Sequence, residues 1–288
     1  ISGNYMISVY NSEDYLMFRR KFLIHENLAS IEGGIFRSRE LSNYTKNQTV
    51  QFSINPIGFA PRNPNDDLKI VVIQNYQWDE IKTVSKPKYI IGKELHYSSD
   101  LPLQFSGGNE FLYFDTKDNR VVNPSISHVS LDDIYQTYLF TDPERKNYPY
   151  TFNPDINGNF LINTIQGNDP DIEADYTQVY FSLAKQYTLQ EEEIYLYGKF
   201  SNYELSEEYK LTYNPSYEVY EIRLLLKQGF YNYKYVWKIK GGLDKNIISG
   251  SHAVTENQYI ILAYSRLIGS QYDALICIKK LSSFEIEN

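Results

Sequence analysis

The sequence predicts an all-β protein built from tandem immunoglobulin-like β-sandwich domains with little helix. Three observations predict this fold class. Apolar and aromatic residues alternate with period two in many runs of strand length. No window of 11 residues carries an apolar stripe of helical period. Tyr, which favours half-buried sheet faces, occurs 28 times, against two Met and two Trp.

The first predicted element is a β-hairpin. The runs GNYMISVY and YLMFRRKFLI flank turn residues between Asn11 and Asp14. A single hairpin is only marginally stable in water, so we expect it to belong to a larger sheet. We therefore predict that residues 1–28 are the last strands of an N-terminal β domain whose beginning is missing.

The middle of the chain, residues 29–186, is predicted to form a central β-sandwich. The run LKIVVIQN from Leu68 is almost continuously apolar, which predicts a central strand covered on both faces. Shorter alternating runs on either side are typical of sandwich strands. These runs are TVQFSIN, KYIIGKELHY, EFLYFDT, IYQTYLFT and ADYTQVYFSL.

Residues 187–288 are predicted to form a C-terminal immunoglobulin-like domain of the early-set type. Glu191 to Glu193 mark a solvated boundary, and roughly seven strands in about a hundred residues suit this class. Tyr209 to Tyr235 alternates across three runs and predicts an antiparallel meander. The runs ENQYIILAYSR and DALICIKKL are its predicted closing strands.

The charge balance limits the classes of partner. The chain has 36 acidic and 28 basic residues, a net charge of −8, and no basic run longer than Arg19 to Lys21. Nucleic acids and anionic membrane surfaces are therefore poor partners, because both need a basic face. No run approaches the roughly 18 apolar residues of a spanning helix, so direct membrane insertion is not expected. The single cysteine, Cys277, is interpreted as a small buried hydrophobe.

The sequence shows no assembled catalytic or cofactor motif. The four histidines are far apart, no GxSxG elbow is present, and the Gly-Gly pairs do not fit a phosphate loop. We therefore predict a non-enzymatic protein with no catalytic residues and no cofactor.

One acidic segment, GNDPDIEADY, is a candidate calcium-binding site. Its carboxylates recur at every second position, and Ca²⁺ takes six to eight oxygen ligands. If the segment is extended, all four share one face. The alternative is a solvated loop that enters the strand ADYTQVYFSL. The four residues are Asp169, Asp171, Glu173 and Asp175.

Aromatic residues offer a second candidate, a sugar-binding platform. Trp78, Trp237, Tyr203 and the tyrosines of the meander could stack on sugar rings if their flat faces lie in solvent. The alternative is cross-strand pairing within a sheet. This candidate predicts a glycan-binding protein of the cell envelope.

A series of longer motifs resembles a known family. Seven motifs occur in this order: GGNEFLYFD, DINGNFLI, EADYTQVYFSL, YGKFSNYE, LTYNPSYEVYEIRLLLKQGFYNYKYV, GSHAVTENQYIILAYSR and YDALI. The series covers most of the chain and resembles the Plug protein family of the Bacteroidetes type IX secretion system. YGKFSNY followed by GFYNYKYV is also similar to early-set modules related to starch-binding domains. Such modules usually carry Trp where Tyr203 stands.

The Plug resemblance implies a periplasmic protein associated with the outer membrane. Its partner is then the outer-membrane barrel of the secretion translocon, whose periplasmic mouth the family closes. A reversible contact of this kind needs loops with aromatic and arginine anchors. The loop from Pro56 to Asp67 is the longest loop that the sequence predicts and contains three prolines. The predicted partner-contact residues are Phe59, Pro61, Arg62 and Trp78.

Overall fold

The computed structural model describes residues 1–184, 193–240, 242–284 and 286. Strands make up 49% and helices 5% of the chain, so the all-β prediction is confirmed. Within the described residues, no helix is long and apolar enough to cross a membrane. The helical segments are α1 (Pro170–Glu173) and 3₁₀ turns at Leu101–Leu103, Lys199–Ser201 and Glu207–Tyr209.

The strands are numbered in chain order. Those before residue 108 are β1 (Gly3–Tyr10), β2 (Leu16–Ile24), β3 (Ala29–Arg37), β4 (Asn47–Pro56), β5 (Leu68–Gln74), β6 (Ile81–Val84), β7 (Tyr89–Ile91), β8 (Glu94–Tyr97) and β9 (Gln104–Ser106). Those between residues 108 and 255 are β10 (Leu112–Asp115), β11 (Ile126–Leu131), β12 (Tyr135–Leu139), β13 (Phe160–Ile162), β14 (Tyr176–Ala184), β15 (Glu193–Tyr197), β16 (Thr212–Asn214), β17 (Val219–Lys227), β18 (Gly229–Ile239) and β19 (Gly242–Asp244). The last are β20 (Gln258–Ser265) and β21 (Ala274–Ser282).

The chain divides into two compact units. The first unit comprises Ile1–Gly107 and Glu256–Asn288, and the second comprises Gly108–Thr255. Each unit contains its own hydrophobic core between two sheets, which is the layer architecture of a β-sandwich. This division differs from the predicted domains, which were 1–28, 29–186 and 187–288.

In the first unit, one sheet has the strand order β21-β20-β5-β6 and the other has the order β3-β4-β8-β7, with β9 beside β4. Strand β5 is buried on both faces. Ile70 and Val72 lie in the core between the sheets, whereas Val71 and Ile73 pack on the opposite face with Trp78. The prediction of a central strand covered on both faces from Leu68 is therefore confirmed.

The closing strands explain why the predicted domains differ from the observed units. β20 pairs with β21 on one side and with β5 on the other, so that Tyr259 lies opposite Gln74. Residues 187–288 are therefore divided between the two units, and the predicted boundary after residue 186 lies outside the described residues. Cys277 on β21 is buried in the first core, as predicted, and burial raises the pKa of its thiol.

In the second unit, β18 pairs with β10, β13, β15 and β19, and the facing sheet has the order β11-β12-β14-β17-β16. The β12–β14 pair is parallel, and the other pairs of this sheet are antiparallel. Aromatic rings fill much of the core between the two sheets. Phe114 stacks on Tyr231 at 5.1 Å between ring centroids and meets Phe181 edge-on at 5.5 Å.

The predicted meander from Tyr209 to Tyr235 is only half correct. β16 and β17 pair antiparallel as expected, but β18 lies in the other sheet of the sandwich. The chain changes layer at Gln228, whose backbone N–H donates to the Asp175 carbonyl at 2.7 Å. A side chain at Gly229 would lie 2.3 Å from the Leu161 carbonyl oxygen, so the corner requires glycine.

Candidate partner-binding surface

The predicted contact loop connects β4 to β5 in the first unit and is held at both ends. Contrary to the prediction, it is not the longest connection, because 140–159 between β12 and β13 is longer. At its start, the Leu28 carbonyl accepts a hydrogen bond from the backbone N–H of Ile57 at 2.9 Å. At its end, the Asp67 carboxylate accepts one from the backbone N–H of Asn63 at 2.8 Å. Such bracing lowers the conformational entropy that the loop loses when it binds a partner.

The structure brings three of the four predicted contact residues together. Phe59, Pro61 and Arg62 line a cleft of about 490 Å³ with the loop of residues 265–268. Phe59 is half-buried and packs against the first core, whereas Arg62 is exposed. Ile268 lines the same cleft and is 74% exposed. An aromatic ring, an arginine and exposed aliphatic surface are typical of binding hot spots and their surroundings.

Trp78, the fourth predicted contact residue, lies in a neighbouring cleft of about 310 Å³. It is half-buried, and the Lys21 ammonium lies 5.5 Å from the centre of its ring, within cation–π range. Arg266 of the first cleft donates through Nε to Oδ1 of Asp273 in the second cleft, at 2.8 Å. The two clefts are therefore joined by an exposed ion pair.

The sequence pattern identified the hairpin of β1 and β2 but not its exposed apolar face. These strands pair with each other and with no other strand in the described parts of the chain. Tyr5 stands opposite Phe22 and Val9 opposite Phe18 on one face, and Tyr5 stacks on Phe22 at 5.3 Å. Tyr5, Phe18 and Phe22 are 37–46% exposed. A sheet face of this composition is normally covered by another element. That residues 1–28 belong to an N-terminal β domain stays a prediction.

The acidic segment is helical at Pro170–Glu173 and not extended, so the alternating register that would place all four carboxylates on one face is absent. Asp169 caps α1 and accepts a hydrogen bond from the backbone N–H of Asp171 at 3.1 Å. The Glu173 carboxylate accepts the backbone N–H groups of Asn168 and Asp169 at 2.5 and 2.6 Å. The carboxylates of Asp169 and Glu173 are therefore used to accept hydrogen bonds from backbone N–H groups. Across residues 1–184, 193–240, 242–284 and 286, no three His, Cys, Asp or Glu side chains are placed to hold a metal ion.

The predicted sugar platform is wrong at most of its residues, because they are buried. Tyr203 is 6% and Trp237 is 7% exposed, and Tyr231, Tyr233 and Tyr235 are between 1% and 3% exposed. A ring in a core cannot present a flat face to a sugar in solvent. Sequence periodicity identifies the strands that carry these tyrosines but does not show that β18 is buried between other strands.

A buried polar network, which the sequence did not indicate, satisfies two of these tyrosines. The Asp142 carboxylate accepts hydrogen bonds from the hydroxyls of Tyr233 at 2.9 Å and Tyr235 at 2.8 Å. Burial raises the pKa of Asp142 to about 6, although the two hydroxyls and the Arg145 guanidinium act to lower it. Burial also raises the pKa of both hydroxyls. The network thus gives each buried hydroxyl an acceptor.

The fold defines an all-β protein of β-sandwich units, and the first unit carries two clefts lined in part by loops. The chain is similar to a hypothetical protein from Parabacteroides merdae ATCC 43184, whose crystal structure was determined at 2.30 Å resolution. The TM-score is 0.92 and the identity 33%, over 98% of this chain and 72% of that one. The chain belongs to the same family as that protein. No protein-family model and no curated protein matches the sequence.

Proposed function

We propose that this protein is a non-enzymatic subunit of the type IX secretion translocon that closes the periplasmic mouth of the outer-membrane barrel. The observation that carries the proposal is the ordered motif series from GGNEFLYFD to YDALI, which resembles the Plug family. The protein is then periplasmic, is associated with the outer membrane, and acts by contact without a cofactor.

The physical requirements of closing a pore support the proposal. The closing body must be rigid, and each unit has a close-packed core between two sheets. The contact must also be reversible, which favours a moderate, partly polar interface with a few anchors. The joined clefts of the first unit offer Phe59 and Ile268 as apolar anchors and Arg62 and Arg266 as polar ones.

We also propose that the two units are tandem immunoglobulin-like domains. Each unit is a two-sheet sandwich of mainly antiparallel strands, which supports it. Two features depart from a simple tandem of such domains. Residues 108–255 are inserted between the two segments of the first unit, and β12 and β14 are parallel.

Site-specific photocrosslinking in cells that carry the secretion system tests the proposal. A photoreactive phenylalanine at Ile268, in the cleft, is expected to crosslink to the barrel. The matched control is Leu131 on β11 of the second unit, which is 62% exposed and lines neither cleft. The control is expected to give no crosslink to the barrel.

The possible outcomes test the contact surface and the translocon function separately. Equal crosslinking at both positions would contradict the assignment of the clefts as the contact surface. A barrel that is isolated intact, with this protein absent under every condition, would overturn the proposed function. Charge reversal by Arg62→Glu is expected to reduce co-purification with the barrel without a change in folding, because Arg62 is exposed.

A further inference from the structure

An open groove of about 1010 Å³ lies on the outer face of the sheet β11-β12-β14-β17-β16 in the second unit. Its floor is a row of polar side chains. Ser182 stands opposite Glu221, which in turn stands opposite Thr212. The hydroxyls of Ser182 and Thr141 are 2.9 Å apart. The floor therefore offers hydroxyl and carboxylate groups at regular spacing across the sheet.

One wall of the groove is aromatic. Tyr138, Tyr180 and Arg223 stand in register on the neighbouring strands β12, β14 and β17. The two rings stack with their centroids 4.3 Å apart and their planes inclined by 13°. Tyr138 covers one face of Tyr180, and Arg223 is the residue opposite Tyr180 on the other neighbouring strand, β17. The Tyr180 hydroxyl donates to Oε1 of Gln136 at 2.9 Å, which fixes the ring in place.

The opposite wall is formed by residues 207–210 and by the turn between β16 and β17. Asn214 donates through Nδ2 to Oε1 of Glu221 at 2.9 Å and so joins this wall to the floor. Tyr217, at the turn, is 77% exposed. The groove thus has an aromatic ring on either side of a polar floor.

The charges of the groove exclude several ligand classes. The lining contains three carboxylates, Glu207, Glu208 and Glu221, and two cations, Lys210 and Arg223. Lys210 is already paired with Glu193. A groove without a positive excess repels nucleic acids and other polyanions, and a polar floor is unsuited to lipid chains. An extended peptide gains its main-chain hydrogen bonds at a sheet edge, whereas this groove lies on the faces of strands that are already paired.

We propose that this groove binds a neutral oligosaccharide. Pyranose rings present apolar C–H faces to aromatic rings and hydroxyls to polar side chains, and the groove provides both kinds of surface. Tyr180 stacks on the sugar, whereas Arg223, Glu221 and Asn214 bind its hydroxyls. The proposal uses residues of the second unit alone, so it is independent of the contact clefts and of the translocon function.

Binding of purified protein to an array of neutral oligosaccharides, followed by calorimetry with the strongest binders, tests the proposal. Affinity in the millimolar range or tighter is expected. Tyr180→Ala is expected to weaken it about fivefold, which corresponds to the roughly 1 kcal/mol contributed by a stacked ring. Tyr176→Ala is the matched control, because Tyr176 lies on the same strand and the same face, is 53% exposed, and does not line the groove.

Arg223→Ala, an exposed position on β17, is expected to weaken binding several-fold and provides a second variant should Tyr180→Ala fold poorly. The thermal melting transition of each variant reports whether it is folded. Three results would overturn the proposal. These are no binding to any neutral oligosaccharide at 10 mM, affinity unchanged in both folded variants, and affinity lost equally in Tyr176→Ala.

Discussion

The cores of the two units are built from different side chains. The first core is mainly aliphatic, with Ile, Val, Leu and Ala around a few aromatic rings. The second core is rich in aromatic residues, including Phe114, Tyr231, Tyr233, Tyr235 and Trp237. An aliphatic side chain needs no partner when it is buried, whereas each buried tyrosine hydroxyl needs an acceptor. The stability of the second unit therefore depends on polar groups placed around its core.

The chemistry of those acceptors differs between the units. In the first unit, the buried hydroxyl of Tyr259 donates to Oε1 of Gln48 at 2.6 Å, and an amide does not titrate. In the second unit, Tyr233 and Tyr235 share the carboxylate of Asp142. The stability of the second unit should therefore depend on the protonation state of Asp142. The Tyr259 hydroxyl in the first unit donates to an amide, which provides no such pH dependence.

The two units can be observed separately. The sequence contains two tryptophans, Trp78 in the first unit and Trp237 in the second. Trp237→Phe leaves a fluorescence reporter for the first unit, and Trp78→Phe leaves one for the second. The three predictions below use urea unfolding of these two reporter proteins.

The largest effect is expected for Ile261→Ala in the core of the first unit. Ile261 is fully buried, and its truncation leaves a cavity that should lower the free energy of unfolding by about 2–5 kcal/mol. The unfolding transition reported by Trp78 fluorescence should move to a lower urea concentration. Ile90→Ala, at a position that is 45% exposed on β7, is the control and should change the free energy by less than about 0.5 kcal/mol. An equal shift of the Trp237 transition would show that the units unfold as one, which would remove the basis for comparing them.

The strands of the first unit show how much of the fold the sequence could predict. The apolar run from Leu68 is long and uninterrupted, so a central strand could be identified without a partner. The neighbour of β5 could not, because β20 lies far along the chain and period-two alternation does not encode pairing partners. The predicted domain boundaries differ from the observed units for this reason.

The second largest effect is expected from Asp142, and it depends on pH. The pKa of Asp142 is about 6 in the folded protein and near 4 when unfolded, so the folded state binds the proton more tightly. The stabilisation is complete below pH 4 and is lost as the pH rises through 6. Asp142→Asn mimics the protonated form. Relative to wild type, this variant should gain up to about 3 kcal/mol between pH 4 and pH 7.

The difference between variant and wild type isolates this group from other carboxylates. Glu193, for example, has a pKa lowered to about 2 by hydrogen bonds from Lys210 and Lys238, so its contribution is lost as the pH falls. That contribution is common to both proteins and cancels in the difference. Urea midpoints of the Trp237 reporter at several pH values give the measurement. A difference that is constant from pH 4 to pH 7 would contradict the raised pKa of Asp142.

The candidate surfaces were predictable only in part, because exposure depends on tertiary structure. The loop with Phe59 and Arg62 was identifiable from its length and prolines. Its partner in the cleft, Ile268, has no local signal and meets it only because β20 returns to the first unit. Likewise, the stacking of Tyr138 on Tyr180 requires the parallel pairing of β12 with β14, whose connection spans 140–175.

The smallest effect is expected for Tyr231→Phe in the second core. Tyr231 is 2% exposed, and its hydroxyl donates to the Lys227 carbonyl at 2.7 Å. The ring remains after substitution, so only one neutral hydrogen bond is lost, which should cost about 0.5–1.5 kcal/mol. Tyr113→Phe is the control, because Tyr113 is 41% exposed and its hydroxyl makes no hydrogen bond to the described residues. The Trp237 transition should therefore shift for Tyr231→Phe alone. If neither variant shifts the Trp237 transition, the hydrogen bond of the buried Tyr231 hydroxyl does not contribute to the stability of the second core. The two cores would then not differ in their dependence on buried polar groups, despite their different composition.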